Sequence, residues 1–258
     1  MPSNVVDDYH APADNSVAWC WNAAESWTGS NASGVRDTTA GFSVIRADLI
    51  NNTDGQQVSH GLSKAPEFVI WSYYPPGSSF VRAYHKDLTS GSTLYLNNND
   101  PQTSGGALVA AVDSSNLTLN VKSGNPANFT DTLYAWHSVP GYSSMGSYVG
   151  NGSNNGPFVF CGFRPAWILL KRSSDVGGDW HCFDSARGPY NPNLADLSPN
   201  STDPEYASTG TTDVDFLSNG FKIRDDWAGF NNLGSTFIYV AFAEHPFGGS
   251  NVSPSPAR

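Results

Sequence analysis

The stretch GFRPAWIL at residues 162–169 decides the fold, because it is a diverged copy of GLSKAPEFVI at residues 61–70. With a gap of two residues, the leading glycines of the two stretches align, and Pro66 then aligns with Pro165. The match continues along the chain, with an offset that grows from 99 residues at these prolines to 106 residues near the end of each copy. A repeat of about 100 residues is too long for a solenoid or propeller unit and is about the size of one compact domain. The sequence therefore predicts two tandem domains that arose by internal duplication.

The matched positions are apolar strand residues and turn residues, and reactive side chains do not recur in step with them. His85 aligns with Asp184, and His137 aligns with Ala243. This pattern predicts that the duplication kept a scaffold rather than an active site.

Short aromatic and aliphatic runs alternate with Gly, Pro, Asn and Asp in both copies, as is typical of strands joined by turns. The predicted strands are residues 42–45, 67–73, 80–85, 93–97, 108–113, 117–121 and 132–139 in the first copy, and 146–149, 158–161, 167–171, 180–183, 215–217, 221–224 and 237–243 in the second. About seven strands in each copy favour a β-sandwich of the jelly-roll type. We therefore expect an all-β chain with one sandwich at residues 40–140, a second at 141–247 and a C-terminal tail at 248–258.

Residues 1–39 are expected to form an N-terminal arm that carries one orphan strand at about residues 16–22. This segment resembles the last strand of each copy, as if it closed a third domain. An isolated apolar strand is an aggregation hazard unless it pairs with a neighbour. We therefore predict that Val17, Trp19 and Trp21 mediate strand addition or oligomer contact, within this protomer or with another chain.

Composition restricts the classes of function. The 258 residues are 39% hydrophobic and only 14% charged, with a net charge of −10, a combination that suits extracellular β-rich proteins and virion proteins. An acidic chain without a Lys/Arg cluster is expected to repel nucleic acid. The sequence also shows no signal-peptide pattern and no apolar stretch long enough for membrane insertion.

The three cysteines, Cys20, Cys161 and Cys182, have neither metal-ligand spacing nor the even number of a disulfide framework. Reduced, buried thiols are the expectation. A bridge between Cys161 and Cys182 stays open as an alternative, because both are predicted on strands of the same domain.

Six segments of the second copy carry a resemblance to a known family. They are residues 146–153, 156–160, 162–167, 184–187, 217–222 and 239–246. The chain resembles, over roughly residues 16 to 247, the repeated β-domain family of unknown function found in tail-fibre-like and virion structural proteins of aquatic tailed phages. The resemblance implies a place in the phage particle, and no catalytic residues are assigned to that family.

The sequence predicts no catalytic residues, no metal site and no cofactor. Asp213 and Asp215 supply only part of a calcium loop, and Asp225 and Asp226 lie in a turn-like context where Asp caps its own backbone. The many aromatic residues are either core fillers or surfaces on which sugars stack. The glycan or interface candidates, chosen because they lie near polar loops, are Trp180, Tyr190, Trp227 and Phe230.

The expected function is that of a non-enzymatic phage virion structural protein, a tail-fibre or tail-tip component that contributes to host attachment. Its expected partners are other copies of itself, other virion proteins and a host surface glycan or receptor, without nucleic acid and without membrane insertion. The alternative is a decoration or cement protein on the capsid surface. An enzyme that acts on surface polysaccharide is the third hypothesis.

Overall fold

The computed structural model describes residues 19–73, 80–105, 108–121, 127–176, 178–207 and 214–243. The strands of the first half are β1 (Glu25–Gly29), β2 (Ala32–Asp37), β3 (Phe42–Ile50), β4 (Gln56–Ser59), β5 (Phe68–Tyr73), β6 (Phe80–His85), β7 (Ser92–Tyr95), β8 (Thr103–Ser104), β9 (Val109–Val112), β10 (Asn116–Leu119) and β11 (Asn128–Trp136). Those of the second half are β12 (Ser143–Val149), β13 (Phe158–Phe160), β14 (Pro165–Arg172), β15 (Trp180–Asp184), β16 (Ala195–Asp196), β17 (Tyr206–Ala207), β18 (Val214–Leu217), β19 (Gly220–Ile223) and β20 (Thr236–Ala243). The helical turn α1 (Ala228–Asn231) lies between β19 and β20. Within these ranges, helical structure of the length and apolarity that a membrane crossing needs does not occur.

All strand pairs are antiparallel, and they form several sheets. The first half has a large sheet in the order β1-β2-β3-β11-β5-β6-β7-β8 and a small sheet in the order β4-β10-β9. The second half has a sheet in the order β12-β20-β14-β15, a small sheet in the order β13-β19-β18 and the pair β16-β17. The prediction of an all-β chain is thus confirmed. The segment β3-β11-β5-β6 has the same order as β12-β20-β14-β15, and β4-β10-β9 has the same order as β13-β19-β18.

Each half has an apolar core between its large and its small sheet. In the first half, Ile45 and Leu133 of the large sheet pack with Leu117 of the small sheet. In the second half, Ile168 packs with Phe221 in the same way. Side chains alternate between the two faces of a strand, so every second residue of the large sheets points away from these cores.

The outward faces of the two large sheets pack against each other and form a third core. Its members include Phe68 and Trp136 from the first half and Leu169 and Trp180 from the second. Hydrogen bonds also connect the two halves here: the indole Nε1–H of Trp180 donates to the carbonyl oxygen of Tyr95 at 2.8 Å, and the His85 imidazole bonds a backbone carbonyl of the second half. In the described part of the molecule, the two large sheets and the two three-stranded sheets are therefore stacked, with the pair β16-β17 beside them. The central strand β14 is apolar from Pro165 to Leu170 because both of its faces are covered.

The expected orphan strand does not form in the part of its range that the structure describes. Residues 19–24 lie outside every strand, and Val17 lies outside the described residues. Instead, the Trp21 ring packs edge-on against Trp136 and Trp167, each with centroids 5.7 Å away, at the boundary between the two large sheets. Trp19 lies 6.1 Å from Trp167 in the same cluster. These rings thus contribute to an intramolecular core rather than to strand addition, because that core has room for large apolar side chains.

The hairpin β1-β2 was not predicted, and it extends the first large sheet beside β3. Its Trp27 is buried in the first core. The packing is close: a Cβ atom on Gly34 would lie 1.9 Å from the carbonyl oxygen of Val44, and one on Gly61 would lie 2.5 Å from the Trp27 ring. The turn of the hairpin also covers β4, since the Ser59 amide donates to the carbonyl oxygen of Ser30 at 3.0 Å.

All three cysteines are free thiols, so the alternative of a bridge between Cys161 and Cys182 is not realised. Cys182 is buried, Cys161 is partly buried and Cys20 is exposed. Burial raises the pKa of Cys161 to about 12. The expectation of buried thiols therefore holds for Cys182 and fails for Cys20.

Candidate functional site

A cavity of about 440 Å³ lies in the second half, where β15, β16 and β17 approach the loop before α1. This volume falls in the range of about 300–1,000 Å³ that is typical of small-molecule sites. The cavity is lined by Asp179, His181, Asp196, Ser198, Asp203, Pro204, Glu205, Tyr206 and Trp227.

The inner part of the cavity is a hydrogen-bonded pair of buried polar residues, His181 and Asp196. His181 lies on β15, whose residues are all buried, and Asp196 lies on the two-residue strand β16. Backbone hydrogen bonds between Cys182 and Leu197 bring these two segments together. As a result, His181 Nδ1 lies 2.7 Å from Asp196 Oδ2.

Two atoms of this pair have no hydrogen-bond partner among the described residues, namely His181 Nε2 and Asp196 Oδ1. Both side chains are more than nine-tenths buried. A carboxylate oxygen only accepts, so we assign the hydrogen of the short contact to His181 Nδ1, and Nε2 is an acceptor whenever the ring is neutral. A buried polar atom without a partner costs about 1–3 kcal/mol, and this favours a ligand or water at the site.

Trp227 presents an aromatic surface at the cavity and is 43% exposed. Its ring stands nearly perpendicular to those of His181 and Phe230, with centroids 5.1 and 5.3 Å away. The Asp225 carboxylate accepts a hydrogen bond from the Trp227 amide at 2.9 Å, which agrees with the turn-capping role predicted for this Asp. A Cβ atom on Gly229 would lie 2.1 Å from the indole ring, so the glycine makes room for it. The ring is therefore held in place and still accessible.

Three further acidic residues line the cavity. Asp179 accepts a hydrogen bond from Asn200 at 2.8 Å, Asp203 accepts one from Ser201 at 2.6 Å, and Glu205 pairs with Arg187 at 2.8 Å. With Asp196, four carboxylates line the cavity, whereas the described lining contains neither Lys nor Arg. The cavity thus combines aromatic surface with hydrogen-bond acceptors and negative charge.

A family model described as a domain of unknown function (DUF7483) matches residues 3–246. The chain belongs to this family. The match extends across both halves of the molecule, and its description names neither an activity nor a ligand. Comparisons with curated proteins and with solved structures find no match.

Of the four residues predicted as glycan or interface candidates, one lines the cavity. Trp227 does so, whereas Trp180 is fully buried in the core between the large sheets and Phe230 is fully buried behind Trp227. Neither buried ring has a surface on which a ligand could stack, because each fills a core. Tyr190 is 83% exposed but does not line the cavity.

The other polar candidates do not form a metal site. Among the described residues, His, Cys, Asp and Glu do not gather in groups of three that could hold an ion. Asp213 lies outside the described residues, and Asp215 lies 3.6 Å from Arg224 in an ion pair. His181 and Asp196 were missed by the sequence analysis, because a histidine within an apolar strand looks like a core residue.

Proposed function

We propose that this chain is a structural protein of a tailed-phage particle, a tail-fibre or tail-tip component that contributes to host attachment by binding a surface glycan in the cavity beside Trp227. The observation that carries the glycan proposal is the accessible, rigidly held Trp227 ring next to two unpartnered acceptors. A sugar has an apolar face that packs on an aromatic ring and hydroxyl groups that donate to acceptors. The place in a phage particle is supported by the sequence motifs of the second half.

The same proposal includes an internal duplication. It is supported by the growing offset between matched residues and by the shared order of the two pairs of sheets. In this account the first copy occupies residues 40–140 and the second occupies residues 141–247. The third core between their large sheets makes the pair a rigid unit, as a fibre or tail-tip part requires.

We propose a non-enzymatic role for the pair of His181 and Asp196, in which it binds a ligand. An Asp–His pair can also orient a general base, and nucleophilic catalysis then needs a hydroxyl or thiol within hydrogen-bond reach of that base. Among the described residues, none hydrogen-bonds to His181 Nε2.

A second candidate function is decoration of the capsid surface, and a separate observation favours it. Phe158 and Phe160 of β13 are 47% and 65% exposed. In the described part of the molecule, β13 is an edge strand of its sheet. Exposed aromatic side chains on an edge strand are suited to contact with another subunit.

Two measurements test the proposal and separate the candidates. Antibody labelling or imaging of the intact particle should place the chain at the tail, and a position distributed over the capsid surface would support decoration instead. Fluorescently labelled protein should also bind host cells, and Trp227→Ala should reduce that binding at least tenfold. Tyr190→Ala, which changes an exposed aromatic outside the cavity, is the matched control and should leave binding unchanged. Equal binding by wild type and Trp227→Ala would contradict attachment through this cavity.

A further inference from the structure

We propose that the cavity selects a sugar with a free, protonated amino group next to a hydroxyl group, over the N-acetylated, neutral and acidic forms of the same sugar. This inference rests on the proposed glycan function and adds the chemical class of the ligand. Its basis is that two unpartnered acceptors, four carboxylates and the aromatic face of Trp227 lie in a single cavity.

The first step concerns hydrogen bonding. Asp196 Oδ1 can only accept, and His181 Nε2 accepts in the neutral ring whose Nδ1–H is engaged by Asp196 Oδ2. The cavity therefore offers two buried acceptors that require two donors from the ligand. An ammonium group and a neighbouring hydroxyl group supply these donors, whereas an acetamido group replaces the ammonium by a single N–H and adds a carbonyl acceptor.

The second step concerns charge. Asp179, Asp196, Asp203 and Glu205 line the cavity, and the described lining contains no cationic side chain. The nearby Arg187 is already engaged, since its Nε donates to Asp184 at 2.6 Å and its Nη1 to Glu205 at 2.8 Å. An acidic sugar would have to approach several carboxylates without a free counter-charge. A cationic sugar gains from the same field.

The third step concerns the aromatic face. Trp has the aromatic side chain that attracts cations most strongly, through the negative face of its ring. Trp227 is fixed by its neighbours and partly exposed, so an ammonium group can approach the ring while its hydrogens point to carboxylates. A bare metal ion is less suitable, because His, Cys, Asp and Glu do not cluster in the geometry of an ion site within the described ranges.

The test is calorimetric titration of the full-length protein with four short oligosaccharides, at low salt and at a pH where the amine is protonated. The ligands are oligomers of glucosamine, N-acetylglucosamine, glucose and glucuronic acid. We expect the glucosamine oligomer to bind at least tenfold more tightly than the neutral and acetylated oligomers, and the glucuronic acid oligomer to bind most weakly. The advantage of the amine should shrink as salt is raised or as the amine is deprotonated.

Variants locate the selectivity in the cavity. Asp196→Asn keeps the shape of the side chain and removes its charge, so it should reduce the advantage of the amine about tenfold. Asp203→Asn changes a carboxylate at a different position of the cavity and should reduce it less, which gives a second measurement if Asp196→Asn does not fold. Asp215→Asn removes the same charge outside the cavity and is the matched control, with an expected change below twofold.

The outcomes separate this inference from the proposed function. If all neutral and amino sugars bind equally and Trp227→Ala weakens them all, the amine inference is overturned and the glycan function stands. Equal effects of Asp196→Asn and Asp215→Asn on binding of the amino sugar would also overturn the inference. If none of the four oligomers binds the wild-type protein, the amine inference is overturned, and the glycan function is then decided by the cell-binding measurement.

Discussion

Replacing Trp180 by alanine should destabilise the protein by about 4 kcal/mol, because this ring lies in the core that the two halves share. Trp180 is fully buried, and its indole N–H donates a 2.8 Å hydrogen bond to a carbonyl of the first half. Truncation of a buried Trp to Ala typically costs about 3–5 kcal/mol in total, of which loss of a buried hydrogen bond accounts for about 1 kcal/mol. For a chain of this size each kcal/mol corresponds to about 2–4 °C, so the melting temperature should fall by roughly 10 °C.

The assay is equilibrium unfolding in urea followed by far-ultraviolet circular dichroism, which does not depend on the fluorescence of the removed ring. Trp180→Phe keeps most of the apolar contact and loses the hydrogen bond, so it should cost about 1–2 kcal/mol. Tyr190→Ala removes a ring that is 83% exposed and should change stability by less than about 0.5 kcal/mol. A loss below about 1 kcal/mol for Trp180→Ala would refute the reasoning that the large sheets share a tightly packed core.

Further predictions concern the hairpin, a buried histidine and the thiols. Gly34→Ala should destabilise the chain by about 1–3 kcal/mol in the same urea assay, because its Cβ would lie 1.9 Å from a backbone oxygen of the neighbouring strand; an unchanged midpoint would contradict this. Burial lowers the pKa of His85 from 6.5 to about 4, so the neutral ring is favoured in the folded state. The folding stability linked to this pKa shift, about 3 kcal/mol, is present above pH 6.5 and is lost as the pH falls towards 4. The urea midpoint should therefore fall less across this range in His85→Asn than in wild type. Iodoacetamide at pH 8 should label the exposed Cys20 in the native protein, and Cys161 and Cys182 only after unfolding, as mass spectrometry can check; rapid native labelling of Cys182 would contradict its burial.

Most strands could be predicted from the sequence because their apolar patterns match burial on one or two faces. Strand β14 (Pro165–Arg172) is apolar from Pro165 to Leu170 and lies inside its sheet, whereas β10 alternates and has one buried face. The hairpin β1-β2 was missed because residues 32–34 are Ala, Ser and Gly, which have weak strand propensity. Its position depends on the fit of one tryptophan into the first core, a tertiary contact that local patterns do not contain.

The candidate site could be predicted only in part. Trp227 was recognisable as an aromatic residue in a polar loop, and its neighbour Asp225 as a turn former. His181 and Asp196 are 15 residues apart, and they meet through backbone pairing between β15 and the segment around Leu197. Trp180 also follows a polar loop, and this context predicted an accessible ring. The structure instead places the ring in the core that the two halves share. Which face of a strand a residue occupies follows from the packing of four sheets, and sequence spacing alone does not determine it.

The most direct test of the proposed attachment function is a glycan array probed with the labelled wild-type protein and with Trp227→Ala. The account predicts that the wild type is retained on a set of neutral or amino sugars and that the variant, equally stable in urea, is retained on none of them. Retention of both proteins on the same sugars, or of neither protein on any sugar, would contradict a glycan site in the cavity of His181, Asp196 and Trp227.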